Sequence, residues 1–74
     1  MQDKFIVALA EALEMEESEI NFSDHFRDYE SYDSLAELSV LAMLDADFGV
    51  ELEMKEYNTF VTVEDLFKRV SAKN

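Results

Sequence analysis

The scarcity of turn-forming residues is the feature that most restricts how this chain can fold. Its 74 residues include no proline and a single glycine, Gly49. A turn-rich β fold is disfavoured, because tight turns depend on the backbone angles that glycine and proline supply. The composition therefore predicts helices joined by polar loops. A chain of this length has room for one domain, over residues 1–74, with a small core.

Helical spacing of apolar residues predicts four helices. The first covers about residues 3–15, and the second runs over Ser34–Phe48 with Gly49 in the position that ends a helix. A short third helix lies within residues 54–59. The last follows Thr62, which is suited to cap the start of a helix.

A long acidic connection, roughly residues 16–33, separates the first two helices. A loop of this length in a small domain needs anchors in the core, and Ile20, Phe22 and Phe26 are the expected ones. The predicted fold is all-α: a small four-helix bundle of three longer helices and one short helix, with a long loop between helices one and two.

Charge and composition exclude several classes of function. The net charge of −12, from 18 acidic and 6 basic residues, disfavours nucleic acids and anionic membranes as partners and favours basic ones. The absence of cysteine excludes disulfides and thiolate metal sites, and any thiol chemistry must come from a cofactor. No apolar run is long enough to span a bilayer and no signal-peptide layout is present, so we expect no membrane insertion and a cytoplasmic location.

Neither a hydrolase nor a dedicated metal site is expected. His25 is the only histidine, and Ser34 lacks the glycine-rich elbow that exposes a catalytic serine, so we interpret His25 as a solvated loop residue. The acids after Asp45 are spaced somewhat like a calcium-binding loop, but Gly49 stands at the fifth position where such a loop has a ligand. No metal ligand and no catalytic residue is therefore assigned.

The second helix is apolar on two opposite sides. At 100° per residue, one arc is predicted to face the core, and it collects Glu37, Val40, Leu41, Leu44 and Phe48. The opposite arc holds Leu35, Leu38, Ser39, Ala42, Met43 and Ala46, with Asp45 and Asp47 towards its C-terminal end. A solvated helix face is normally polar, so this outer arc is predicted to dock against a partner.

The start of this helix carries the candidate functional residue. Ser34 stands between Asp33 and Leu35 in an Asp-Ser-Leu triplet. Ser34 and Glu37 also fit a capping box, in which the serine accepts a hydrogen bond from the third helical N–H and the glutamate reaches back. On the residues alone, Ser34 is a helix cap or the carrier of something attached to its hydroxyl.

The chain resembles the acyl carrier proteins, along whose pattern it can be laid from Leu13 to Val63 without a gap. The matching features are Phe26 ahead of the serine, the triplet Asp33-Ser34-Leu35, the acidic helix ending at Phe48 and the Thr62-Val63 entry to the last helix. The resemblance implies that 4'-phosphopantetheine, taken from coenzyme A, is esterified to Ser34, and that its thiol carries acyl groups as thioesters. The protein itself would catalyse nothing.

The resemblance also implies partners and a cargo site. The partners would be a phosphopantetheinyl transferase and acyl-transferring or acyl-activating enzymes with basic or apolar docking patches, meeting a monomeric carrier. They would dock on Leu35, Ala36, Leu38, Ser39, Ala42, Met43 and Asp45. The positions that line the acyl-chain cavity in the resembled proteins are Val40, Leu44, Leu52 and Phe60.

Two departures from the family pattern indicate a specialised carrier within fatty-acid, lipid or polyketide-type biosynthesis. Glu30, Ser31 and Tyr32 replace the usual Leu-Gly-Ala before the triplet, and Ala36 and Ser39 stand where fatty-acid carriers present acids. Two alternatives stay open. One is an aminoacyl or peptidyl carrier, whose family tends towards glycines before the serine and less acidity. The other is a helical interaction module in which Ser34 only caps.

Overall fold

The computed structural model describes residues 2–73, with side chains as far as residue 72. Met1 and Asn74, the two ends of the domain predicted from the sequence, lie outside the described residues. Four α-helices are present: α1 (Gln2–Leu13), α2 (Ser34–Phe48), α3 (Met54–Tyr57) and α4 (Val63–Lys73). Within residues 2–73 there is no strand, only an isolated bridge between His25 and Thr62. The predicted all-α bundle with a long first loop is confirmed.

The connection between α1 and α2 is pinned to the core rather than free. It forms two short 3₁₀ turns, Glu17–Glu19 and Phe26–Asp28. Phe26 and Ile20 are buried, and Phe22 is half-buried with its ring centroid 5.2 Å from that of Phe67. All three predicted anchors therefore contact the core.

Arg27 attaches the same connection to α3 and to the segment after it. Its guanidinium donates to the main-chain carbonyl of Tyr57 at 2.8 Å and to that of Phe60. The guanidinium carbon also lies 4.6 Å from the centroid of the Phe26 ring. These two hydrogen bonds attach the connection to the last residue of α3 and to the segment that follows it.

Helices α1 and α2 end in the same way with different residues. Gly49 after α2 has φ 66°, and the Val50 N–H donates back to the Leu44 carbonyl at 2.9 Å. After α1, which ends two residues earlier than predicted, Glu14 adopts φ 57° and the next N–H closes a matching bond at 2.9 Å. Both are Schellman ends, and only the glycine enters the left-handed region without a steric cost.

The start of α4 is held by a reciprocal cap. Thr62 Oγ1 accepts from the Asp65 N–H at 3.2 Å, as predicted, and the Asp65 carboxylate accepts from the N–H groups of Thr62 and Val61 at 3.0 and 2.8 Å. Those donated hydrogen bonds, the one from Thr62 foremost, hold the pKa of Asp65 below its usual value because they stabilise the charged carboxylate. The cap satisfies N–H groups that precede the helical ladder.

The core is formed by one face of each helix and contains only apolar and tyrosine side chains among the described residues. It includes Phe5, Leu9, Leu13, Val40, Leu44, Tyr57, Val63, Leu66 and Val70. Phe67 completes the predicted stripe of α4 from a half-buried position. All four helices thereby contribute buried side chains to one core.

The face of α2 that meets the core differs from the one predicted. Met43, placed on the outer arc from the sequence, and Ala36, placed in the docking set, are buried with 7% of their surface exposed, whereas Phe48 and Leu41 are half-buried. The placement of Ala36 and Met43 on the outside is wrong. The reason is that α1 packs along that side of α2, so the buried face follows the helical spacing Ala36, Val40, Met43, Leu44.

Candidate functional site

Asp33, not Ser34, caps helix α2. Asp33 has an extended backbone, and its Oδ1 accepts from the Ala36 N–H at 2.8 Å while its carbonyl accepts from the Glu37 N–H at 2.9 Å. The predicted Ser34–Glu37 capping box is therefore wrong. A carboxylate one residue ahead of the serine already satisfies the third helical N–H, and its charge suits the positive end of the helix.

The Ser34 side chain is left free by this arrangement. Ser34 is exposed and is the first residue of α2, and its hydroxyl makes no hydrogen bond with any of the residues 2–73. The main-chain N–H groups of Ser34 and Leu35 also have no acceptor among these residues. A hydroxyl without a partner thus lies beside two donors at the positive end of a helix, a setting that accommodates an attached anionic group.

Glu37 does not form the predicted capping box. Its carboxylate lies near a pair of hydrogen-bonded tyrosines instead. The Tyr32 hydroxyl lies 3.4 Å from the Glu37 carboxylate and 2.7 Å from the Tyr57 hydroxyl. Burial raises the pKa of Tyr32, and more strongly that of Tyr57, so both phenols are neutral at physiological pH. The segment that leads into Ser34 is thereby fixed to α3.

Sequence reasoning missed this link. Tyr32 stood out only as a bulky replacement for a small residue, and Tyr57 only as part of a short helix. Two tyrosines 25 positions apart give no local pattern that indicates their contact. The aromatic ring of Tyr32, 5.8 Å from that of Phe26, shows why the bulk is tolerated: it fills space next to a core residue.

The outer face of α2 exposes large apolar side chains beyond Ser34. Leu35 is 73% exposed and Leu38 is 61% exposed. Three further residues of the predicted docking set are also exposed: Ser39, Ala42 and Asp45. The structure therefore brings five of the seven predicted docking residues onto one exposed face and buries the other two, Ala36 and Met43. Exposed leucines next to the candidate site are the usual sign of a contact surface.

The four residues predicted to line an acyl cavity fall into two groups. Val40 and Leu44 are fully buried within the core, and Leu52 and Phe60 are half-buried at its edge. Leu52 lines a shallow surface cleft together with residues of α2. An alkyl chain could reach all four only if the core opened.

The remaining candidates form no centre of their own. The His25 side chain is largely exposed and its Nδ1 lies 3.7 Å from an Asp28 oxygen. In the part of the chain that the structure describes, no three histidine or acidic side chains converge to hold a metal ion. Across residues 2–73, none of the helices is both long and apolar enough for a transmembrane span.

Comparison with known proteins gives one match. A family model described as "Phosphopantetheine attachment site" matches residues 3–70, which is most of the chain. Neither the curated proteins nor the solved structures contain a match to this sequence. The matched range contains all four helices except the last turn of α4 and the first residue of α1.

Proposed function

This chain belongs to the phosphopantetheine attachment site family, and from that premise we propose that it carries acyl groups on an arm esterified to Ser34. Members of this family bear covalent 4'-phosphopantetheine and serve as carriers. The observation that supports Ser34 as the attached residue is its exposed hydroxyl, which has no partner within residues 2–73 because Asp33 caps the helix. The capping role that competes with attachment is thus already filled.

The residues at the start of α2 are compatible with an attached 4'-phosphopantetheine group. Ser34 Oγ would form the new bond to the phosphorus that bears the pantetheine and lose its proton, while the phosphoanhydride bond of coenzyme A breaks and adenosine 3',5'-bisphosphate leaves. The free N–H groups of Ser34 and Leu35 can then donate to the phosphodiester oxygens, and the helix dipole favours their charge. When bound, the arm supplies a thiol that holds an acyl group as a thioester. The chain has no cysteine of its own, so the arm is where this chemistry resides.

Partner enzymes, a phosphopantetheinyl transferase among them, meet the outer face of α2 in this proposal. Leu35 and Leu38 provide the apolar contact, and Asp45 adds charge at the far end of the helix. The net charge of −12 speeds encounter with basic surfaces, whereas the leucines supply contact area. Ser39 in the middle of this face leaves its first turns without an acid, which supports a specialised carrier rather than a general one.

The acyl class is proposed over the aminoacyl class because of the chain's acidity and of the residues before Ser34. Glu30, Ser31 and Tyr32 precede Asp33 here, in place of the glycines that aminoacyl and peptidyl carriers tend to have. Tyr32 supports a fixed approach to the site, since its hydroxyl bonds to that of Tyr57. We place the carrier in fatty-acid, lipid or polyketide-type biosynthesis.

The test is the intact mass after incubation with coenzyme A and a transferase of broad specificity. Wild type is expected to gain one phosphopantetheine, and Ser34→Ala none. Ser18→Ala, at an exposed serine in the Glu17–Glu19 turn, is the matched control and is expected to gain the group as wild type does. Modification of Ser34→Ala would show that another residue is attached. A wild-type chain that stays unmodified while a control carrier is labelled would contradict the carrier role.

A further inference from the structure

Three adjacent clefts, together called the groove below, follow the junction of α1 and α2, and the first of them lies beside Ser34. Its first part is a cleft of about 100 Å³ between the end of α1 and the start of α2. Asp33 and Leu35, the residues on both sides of Ser34, line this cleft. Ala12 and Ser39 line both it and the next cleft along the junction, so the two are adjacent. Ser34 does not itself line the cleft, but it stands between two residues that do, so an arm attached to it starts beside the cleft.

The groove continues towards the beginning of α1. Ala8, Glu11 and Asp47 line both the second cleft and a third one, which reaches Lys4. Each is open to the surface, with volumes of about 360 and 390 Å³. Small side chains on the two helices leave this space: Ala8 and Ala12 on α1, and Ser39, Ala42 and Ala46 on α2.

The core offers no comparable space. The fully buried Tyr57 and Phe26 rings lie 5.8 Å apart, and Val40 and Leu44 are also fully buried and line none of the three clefts. The hydrogen bond between Tyr57 and Tyr32 closes this side. Admitting a chain there would expose packed side chains, at roughly 25 cal/mol per Å² of apolar surface. The open groove requires no such change.

We propose that the phosphopantetheine arm on Ser34 lies in the α1–α2 groove, with a short cargo that lacks a carboxylate. This inference rests on the proposed function and adds where the arm lies. The geminal methyl groups of the arm would pack against Ala12 and Leu13, which line the first cleft. Ser31 and Ser39 hydroxyls in that cleft can bond to its amide groups.

The charge of the groove selects the cargo. Glu11, Glu14 and Asp47 line it and none of them forms an ion pair with another described residue. Of the residues that line the three clefts, Lys4 is the one cation, and its ammonium lies 5.4 Å from the centroid of the Phe48 ring. A cargo that ends in a methyl or an ammonium group is compatible with these carboxylates. A cargo that ends in a carboxylate is repelled over distances within the Debye length, about 8 Å at physiological salt.

The experiment loads the full chain with amide-linked cargoes of matched length: butyryl, 4-aminobutyryl and succinyl. Contacts are read by nuclear Overhauser effects between the arm or cargo and assigned methyl groups. We expect contacts from the arm to Ala12 in every case. Contacts from the cargo to Ala8 and Ala46 are expected for butyryl and 4-aminobutyryl and at least severalfold weaker for succinyl.

A matched pair of variants tests the groove itself. Ala42→Leu fills the second cleft and should remove the cargo contacts, whereas Ala72→Leu, at an exposed helical alanine on α4, should keep them. Cargo contacts to Leu44 or Phe60 would overturn the inference in favour of the core, and contacts limited to residues 33–37 would show an arm in solvent. Succinyl contacts as strong as those of butyryl would overturn the inference that the charge of the groove selects the cargo. Each of these leaves the carrier role standing; a chain that never takes up the arm overturns both proposals.

Discussion

The two sides of helix α2 have similar residues and opposite surroundings. On the inner side Leu44 is 1% exposed, and on the outer side Leu38, six residues earlier, is 61% exposed. Both are leucines on one helix, so residue type alone does not separate them. The difference lies in what packs against each side: α1 and the core on one, and none of the described residues to a comparable extent on the other. One side of this apolar helix is thus buried in the core, and the other is the exposed surface that we propose for docking.

The largest effect is expected on the inner side, with Leu44→Glu. A buried carboxylate without a partner costs more than about 4 kcal/mol, and a domain of this length is stable by roughly 4–11 kcal/mol. We expect a fall in Tm of at least about 16 °C, or no cooperative transition. Circular dichroism melts measure it. A melt close to that of wild type would mean that the inner side is not the core.

Met43→Glu tests whether Met43 belongs to the buried, inner side of α2. Met43 is 7% exposed next to the α1–α2 groove, so its carboxylate can partly reach water and the expected loss is smaller, about 2–4 kcal/mol. Met43→Leu keeps the volume and should cost less than about 1.5 kcal/mol. Urea unfolding curves give both values. If Met43→Glu costs no more than Leu38→Glu, the outer arc expected from the sequence is right after all and the burial of Met43 is wrong.

Asp33→Ala tests the side-chain cap at the start of α2, where both sides of the helix begin. Loss of the 2.8 Å bond to the Ala36 N–H should cost about 1 kcal/mol, or about 4–8 °C in Tm. Ser34→Ala, which removes no hydrogen bond, should stay within about 0.5 kcal/mol. Differential scanning calorimetry on the unmodified proteins compares them. If the two substitutions lower the stability equally, Asp33 is not the residue that caps the helix, and the role of cap belongs to Ser34 as first predicted.

The smallest effect on stability is expected on the outer side, with Leu38→Glu. An exposed substitution should change the free energy of unfolding by less than about 0.5 kcal/mol. The rate of phosphopantetheine transfer should nevertheless fall by about tenfold or more, because a charge placed in an apolar contact is desolvated without a partner. Val61→Glu, at another exposed apolar residue, should fold and react as wild type. An unchanged rate of phosphopantetheine transfer in Leu38→Glu would show that the outer side of α2 is not the docking surface.

Local signals were enough to predict the helices and most of their ends. Ser34–Phe48 and Gly49 were placed as they are observed, and so was the Thr62 cap of α4. The cap of α2 was assigned one residue too late. Aspartate and serine are about equally good caps, so adjacent Asp33 and Ser34 could not be ranked from the sequence, and the extended backbone at Asp33 decided between them.

The sequence by itself determined the helical fold class, the position of Ser34 at the start of α2 and the net charge of −12, because these depend on composition and on residues within a few positions of one another. Only the tertiary structure decided which side of α2 is buried, that Tyr32 pairs with Tyr57, and that small residues of α1 and α2 meet in a groove beside Ser34. Those features join residues far apart along the chain. Their contacts exist only once the helices pack, and helical periodicity gives a stripe of apolar residues without saying which neighbour covers it.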